Sequence, residues 1–274
     1  MKVFISVDIE GVAGVSDPSQ GRPGNTEYEY ARRLMTEEAS AAVRGAFTAG
    51  ASSVLVADSH AFMQNILADK LDPRARLVSG SPRTFSMLEG LDPSFDALLL
   101  VGFHAAASTF GVMAHTLSGL AFARIEIDRR AVGEVELFGG YAAELGVPLA
   151  VVTGDNFVAA ETANIFPDTI SVIVKDSQGG WACNSLSPLH ARKKIESAIV
   201  SGLSGKPLAR AKRLQGPPFI VTVEMTRQFF ADACCLLPDI KRISATKISF
   251  ESPSYEYAVR ILQALSWIVI GVQR

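Results

Sequence analysis

Residues 1–11 read MKVFISVDIEG, an apolar strand-like run that closes on Asp8, Ile9, Glu10 and a glycine. Side chains alternate along a strand, so Asp8 and Glu10 are expected on one face, about 7 Å apart along the backbone. Two carboxylates on one rim repel each other unless a cation or a shared proton neutralises them. The spacing points to a metal or an acid–base pair at the carboxyl end of the first strand.

Similar apolar runs recur at Ser53–Ala57, Ala97–Val101, Leu149–Val152 and Ile170–Val174, with helix-length segments between several of them. The clearest helix spans Thr26 to Ala49, with Thr26 as its expected cap and Gly50 as its stop. Strand, helix, strand in this order makes a βαβ unit, hence a mostly parallel sheet with right-handed crossovers. Ligands in such sheets sit at the carboxyl ends of the strands. Beyond residue 167 the texture changes. A strand, a loop at Gly179–Gly180 and a helix from Pro188 to Val200 precede a Gly/Pro-rich connector, which includes Pro207. A strand Phe219–Val223, a short helix, two short strands near Ile243–Phe250 and a last helix follow. The expected architecture is α/β: a mostly parallel sheet flanked by helices over 1–167, which carries the metal site, and a second, smaller α+β domain over 168–274.

The chain has 274 residues, 48% of them apolar and 20% charged, with a net charge of −2. This balance gives no electrostatic reason to expect nucleic acid or an anionic membrane as partner. The basic stretch Ala209–Arg213 reads as a solvated face. The longest apolar stretch, Ala258–Val272, contains Arg260 and Gln263 and falls short of the roughly 20 residues of a membrane span. It reads as a buried helix. No charged and apolar leader opens the sequence, which makes a cytoplasmic location the expectation. Cys183, Cys234 and Cys235 form no Cys-x-x-Cys pair and are expected as reduced, packed thiols.

Four histidines occur. His60 follows the strand Ser53–Ala57 and His104 follows Ala97–Val101, so both fall at the rim that Asp8 and Glu10 occupy. His115 lies eleven residues beyond His104. Three strand ends that deliver a carboxylate pair and two imidazoles to one rim make a metal site, and imidazole with carboxylate suits zinc, manganese or iron better than magnesium. Glu134 and Glu136, at the start of a helix, add a further carboxylate that spacing cannot choose between. Asp58 either orients His60 or ends its strand. Gly11 and Gly14 belong to no phosphate-binding pattern and read as a turn that lets the backbone pass close to the site. No Gly-x-Ser-x-Gly elbow is present.

SVDIEG at Ser6–Gly11 resembles the S-x-D-x-E-G signature of the zinc-dependent D-aminopeptidase family. The resemblance continues through LMTEEA at Leu34–Ala39, DSH at Asp58–His60, FSMLEGLD at Phe85–Asp92, GFHAAAST at Gly102–Thr109, GVMAHT at Gly111–Thr116, VGE at Val132–Glu134 and LSP at Leu186–Pro188. It implies two zinc ions per subunit held by Asp8, Glu10, His60, His104 and Glu134. Asp8 would bridge the ions, Glu10 and His60 would complete one, and His104 and Glu134 the other, which selects Glu134 over Glu136. It also implies His115 as the catalytic residue, whether by proton transfer or as nucleophile. The implied substrate is a short peptide with an N-terminal D-amino acid, such as D-Ala-D-Ala. The implied assembly is a homo-oligomer, a decamer of stacked pentameric rings, with 168–274 serving oligomerisation and substrate access. His190 matches no motif. In KDSQGGWA at Lys175–Ala182 the chain carries Gly180 where the family type has an arginine, which alters how a peptide carboxylate is held and leaves Lys175 as one candidate for that role. Two rivals remain at this point: a metal-dependent 3′–5′ exonuclease, whose site also opens with Asp-x-Glu on a first strand, and a non-catalytic peptide- or metal-binding module.

Overall fold

The computed structural model describes residues 1–24, 26–205 and 208–273. The chain begins β1 (Lys2–Val7), α1 (Thr26–Thr48), β2 (Ser53–Asp58), β3 (Arg76–Val78), β4 (Ala97–Phe103), β5 (Phe122–Ile127) and β6 (Arg130–Ala131). It continues through α2 (Glu134–Glu144), β7 (Leu149–Asp155), α3 (Asn156–Ile165), β8 (Ile170–Gly179), β9 (Ala182–Ser185) and α4 (Pro188–Leu203). It ends with β10 (Phe219–Met225), α5 (Gln228–Cys234), β11 (Lys241–Arg242), β12 (Lys247–Ser252) and α6 (Tyr255–Val272).

The first sheet has the order β3-β2-β1-β4-β7-β8-β9 and is parallel except for the β8–β9 hairpin. The second has the order β11-β12-β10-β5-β6 and is antiparallel. The first sheet grows outward from β1, through β2 and β3 on one side and then β4, β7 and β8 on the other. That reversal leaves a crevice at the carboxyl ends of β1 and β4, the switch point where such sheets take ligands.

Strand alternation divides the core. Val3, Ile5 and Val7 of β1 pack with Leu34 and Met35 of α1 and Ile195 and Ile199 of α4. Phe4 faces the other way, with Leu98 and Leu100 of β4, and joins one cluster with Phe138 of α2, Leu262 of α6 and Val221 of β10. The two sheets therefore share a core. They also divide the chain elsewhere than at residue 167: β8, β9 and α4 complete the first sheet, because α3 carries a further parallel crossover from β7 to β8, while β5 and β6 leave early to join β10. The β5–β6 turn escapes a sequence reading because Asp128 and Arg129 take φ of 47° and 69°, a turn that glycine or asparagine ordinarily signals. Thr26 is the first helical residue of α1 and not its cap. Asn25, which precedes it in the sequence, and Pro207 of the connector lie outside the described residues. Arg210 is not merely solvated, since it donates to the carbonyls of Phe95, Pro93 and Leu145.

β1 and β4 stay paired past the end of β1. Asp8 N donates to Val101 O (2.8 Å) and Gly11 N to Gly102 O (2.7 Å). A Cβ on Gly102, whose φ is +73°, would lie 2.3 Å from Asp8 O, and one on Gly11 would lie 2.0 Å from Phe103 O. Only glycine fits at either position. Gly102→Ala is expected to destabilise the protein by about 3 kcal/mol or more, from steric clash and backbone strain together. Urea denaturation measures this, and a variant as stable as the wild type would show that the backbones have room to part.

Candidate metal centre

Asp8 and Glu10 follow β1, His60 follows β2, His104 follows β4 and Glu134 opens α2. Because β1 ends at Val7, the two acids lie in the turn beyond it and not on a strand face. The turn, closed by Val12 N donating to Ile9 O (3.2 Å), brings their carboxylates together where strand alternation was expected to do so.

His60 Nδ1 is 3.3 Å from Asp8 Oδ1 and 3.0 Å from Glu10 Oε2. His104 Nε2 is 3.5 Å from both Asp8 Oδ2 and Glu134 Oε1. His115 Nε2 lies 4.0 Å from Glu10 Oε1, and its ring stacks on that of His104 with centroids 4.1 Å apart. A cavity of about 700 Å³ opens onto the group.

The three imidazoles are oriented by one device. His60 Nε2 is 2.8 Å from Gly21 O, His104 Nδ1 is 3.0 Å from Ala105 O and His115 Nδ1 is 2.9 Å from Met113 O. A carbonyl only accepts, so each of these nitrogens carries a proton and the ring's other nitrogen is turned toward carboxylates. A bare nitrogen lone pair against carboxylate oxygen is unfavourable unless a cation or a second proton lies between them. Among the described residues, His104 Nε2 and Glu134 Oε2 are buried without a hydrogen-bond partner. Donor atoms of Asp8, Glu10 and His104 lie within 4.8 Å of one another, as do those of His104, His115 and Glu134. Nitrogen and carboxylate donors in this mixture fit zinc.

Protons take the cation's place when none is bound. Burial opposes charge on His60, but Glu10 and Asp8 outweigh it and raise its pKa well above the ordinary histidine value. At His104 burial is likewise outweighed, by Glu134 and Asp8. Burial also disfavours an ionised Asp8, yet His104 and His60 hold its carboxyl well below the usual range. Metal binding at such a site displaces protons.

A family profile described as D-aminopeptidase matches residues 1–264. The chain belongs to the D-aminopeptidase family. A curated D-aminopeptidase of Bacillus subtilis (strain 168) is 34% identical over 253 residues, 92% of each chain. The solved structure of the Zn-dependent D-aminopeptidase DppA from Bacillus subtilis, described as a self-compartmentalizing protease, superposes with a TM-score of 0.93 at 32% identity, covering all of both chains. Membership in the D-aminopeptidase family removes the ground for the exonuclease and non-catalytic readings.

The other residues singled out in this D-aminopeptidase sequence separate cleanly. Glu136 turns away from the centre to pair with Arg130 and accept from Tyr255 Oη (3.1 Å). Asp58 ends β2 and shapes the loop behind His60, accepting from Ile66 N (2.6 Å) and Asn65 Nδ2 (2.8 Å), while the His60 ring is held by Gly21. His190 is exposed on α4. Gly180 O receives Met113 N (2.7 Å), which ties the β8–β9 tip to the His115 loop. Gly21 went unread in the sequence, although the Asp17–Gln20 capping box before it carries a recognisable signal.

Lys175 is corrected. It is 1% exposed, and its Nζ donates to Glu10 O (2.5 Å), Val12 O (3.1 Å) and Val15 O (2.6 Å). A buried ammonium must place all its donors, and these three carbonyls use them up, leaving none for a substrate. Glu38 of α1 holds the same turn through an amide, accepting from Ala13 N (3.0 Å).

Burial pushes the Glu38 carboxyl up to about 7 from its ordinary 4.5. The folded chain keeps this proton after the unfolded chain has lost it, so the stability it contributes is complete below pH 4.5 and is lost as pH rises through 7. Glu38→Gln removes that loss, and its stability advantage over the wild type should grow by up to about 3 kcal/mol across this window. Urea denaturation of both proteins at a series of pH values reads the difference. Parallel curves would mean that Glu38 is ionised in the folded chain.

Proposed function

We propose that the chain is a zinc-dependent aminopeptidase that acts on short peptides beginning with a D-amino acid, such as D-Ala-D-Ala, with two metal ions per subunit. The observation that carries this reading is the position of Asp8, one carboxylate oxygen facing His60 and the other facing His104. Glu10 stands beside the first imidazole and Glu134 beside the second. On that division Asp8 would be shared, Glu10 and His60 would complete one ion, and His104 and Glu134 the other. The family and the zinc dependence of the Bacillus subtilis structure support the metal and the substrate class. Paired divalent ions at such a site supply Lewis acidity toward a peptide carbonyl and bring the pKa of water near neutrality.

The chain's own groups do the rest. His115, 24% exposed at its side chain, lines the cavity. With Nδ1–H held by Met113 O and the ring plane fixed by stacking on His104, Nε2 is the atom that accepts and returns a proton. A homo-oligomer, a decamer of stacked pentameric rings to which residues 168–274 contribute contacts and restrict access, is supported by the self-compartmentalizing description of the Bacillus subtilis protein. No helix among the described residues is long and apolar enough to cross a membrane. We place the protein in the cytoplasm, where its three free cysteines suit a reducing environment.

The zinc-loaded protein should hydrolyse D-Ala-D-Ala, lose activity to a chelator and regain it on addition of zinc. His115→Ala should lower kcat by about 10²- to 10⁴-fold while its zinc content, read by elemental analysis, stays at the wild-type level. Full turnover in that variant sinks the role of His115, and an inert zinc-loaded wild type sinks the peptidase reading.

A further inference from the structure

With Lys175 enclosed under the β1 turn, another cation must meet the carboxylate of a short peptide. We propose that Arg22 binds that carboxylate and so makes a free C-terminus part of what the site selects, an inference that rests on the peptidase reading above.

The position of the cleaved bond sets the direction of the substrate. On the aminopeptidase reading the amino-terminal residue and the first peptide bond lie over Asp8, Glu10 and Glu134 at the cavity floor. The carboxylate end therefore points toward the rim. Arg22 is the single lysine or arginine among the described residues that line the cavity, and Met87, Leu117 and Trp181 elsewhere on the wall offer no cation. An extended dipeptide spans about 7 Å, a length that a cavity of about 700 Å³ accommodates.

The backbone from which Arg22 projects is fixed to the candidate metal centre. Asp17 Oδ1 accepts from Ser19 N (2.8 Å), and Gln20 Oε1 accepts from Ser16 N (2.8 Å) and Asp17 N (3.0 Å). Arg22 N closes the turn on Ser19 O (3.3 Å). Gly21 O, one residue before Arg22, receives the His60 Nε2 proton (2.8 Å). The ring that faces Asp8 and Glu10 thus also sets where the Arg22 side chain begins. Asp17 lies within the field of the guanidinium, so a bound carboxylate adds to, or displaces, an anionic neighbour already present. A guanidinium grips a carboxylate through two parallel hydrogen bonds, which an ammonium cannot reproduce.

The test is a cycle between enzyme and substrate on the full-length, zinc-loaded protein. Wild type, Arg22→Ala and Arg22→Lys are each assayed on D-alanyl-D-alanine and on its C-terminal amide. The wild type should prefer the acid, and Arg22→Ala should reduce the acid-to-amide ratio of kcat/KM by about tenfold to a hundredfold, mainly through KM. Arg22→Lys should restore part of that ratio. If Arg22→Ala lowers both substrates equally, or changes neither, Arg22 does not read the carboxylate although the peptidase reading stands. If the wild type cleaves neither, both fall together.

Discussion

Three carboxylates, those of Asp8, Glu10 and Glu134, converge where little water reaches them, and everything around the crevice answers that concentration of charge. An isolated buried carboxylate costs several kcal/mol, and three facing one another cannot persist without positive charge among them. The protein meets this with imidazoles whose outer nitrogens are each tied to a backbone carbonyl. That arrangement forces the inner nitrogens toward the acids and fixes the tautomers before any metal arrives. Asp8, shared between two such rings, is the centre of the arrangement.

The loops that present these groups are held by a second set of buried polar contacts. Lys175 and Glu38 both grip the turn after β1, one through carbonyls and the other through an amide. Asp155, at the end of β7, caps α3 through Phe157 N and Val158 N and also accepts from Val112 N (2.7 Å), which anchors the His115 loop to a rigid strand. Glu161 accepts from Ala106 N, and Leu117 N donates to Glu134 itself. Met113 and Leu117, on either side of His115, take φ of 53° and 60°. Non-glycine residues adopt that conformation at a cost, and the surrounding contacts are what sustain it.

Much of this was legible in the residues. The β1 run, the recurrence of apolar strands and the helix from Thr26 predict the parallel sheet and its ligand-bearing edge, because burial on both faces leaves a local pattern. His60 and His104 betray themselves by following strands directly, since a strand end has a defined place at the rim. The second sheet is harder to see: β5 and β10 pair across about a hundred residues, and the β5–β6 turn uses Asp128 and Arg129 where glycine would have marked it. Lys175 becomes a candidate for the peptide carboxylate in the sequence because Gly180 stands where the family type has an arginine, and only packing reveals an ammonium sealed among three carbonyls.

The sequence by itself determined which residue types stand at the strand ends, and hence an α/β protein with nitrogen and carboxylate donors on one rim, because strand periodicity and βαβ handedness are local consequences of backbone sterics. The tertiary structure alone decided which of these groups touch. It turned Glu134 toward His104 and Glu136 toward Arg130 from the start of α2, set Asp8 between two imidazoles, and moved Lys175 from substrate to scaffold. The Asp8–His60, Asp8–His104 and Lys175–Glu10 contacts join residues fifty to more than one hundred and fifty positions apart, so they are fixed by how the sheet, the turns and the core close on one another and not by any local pattern.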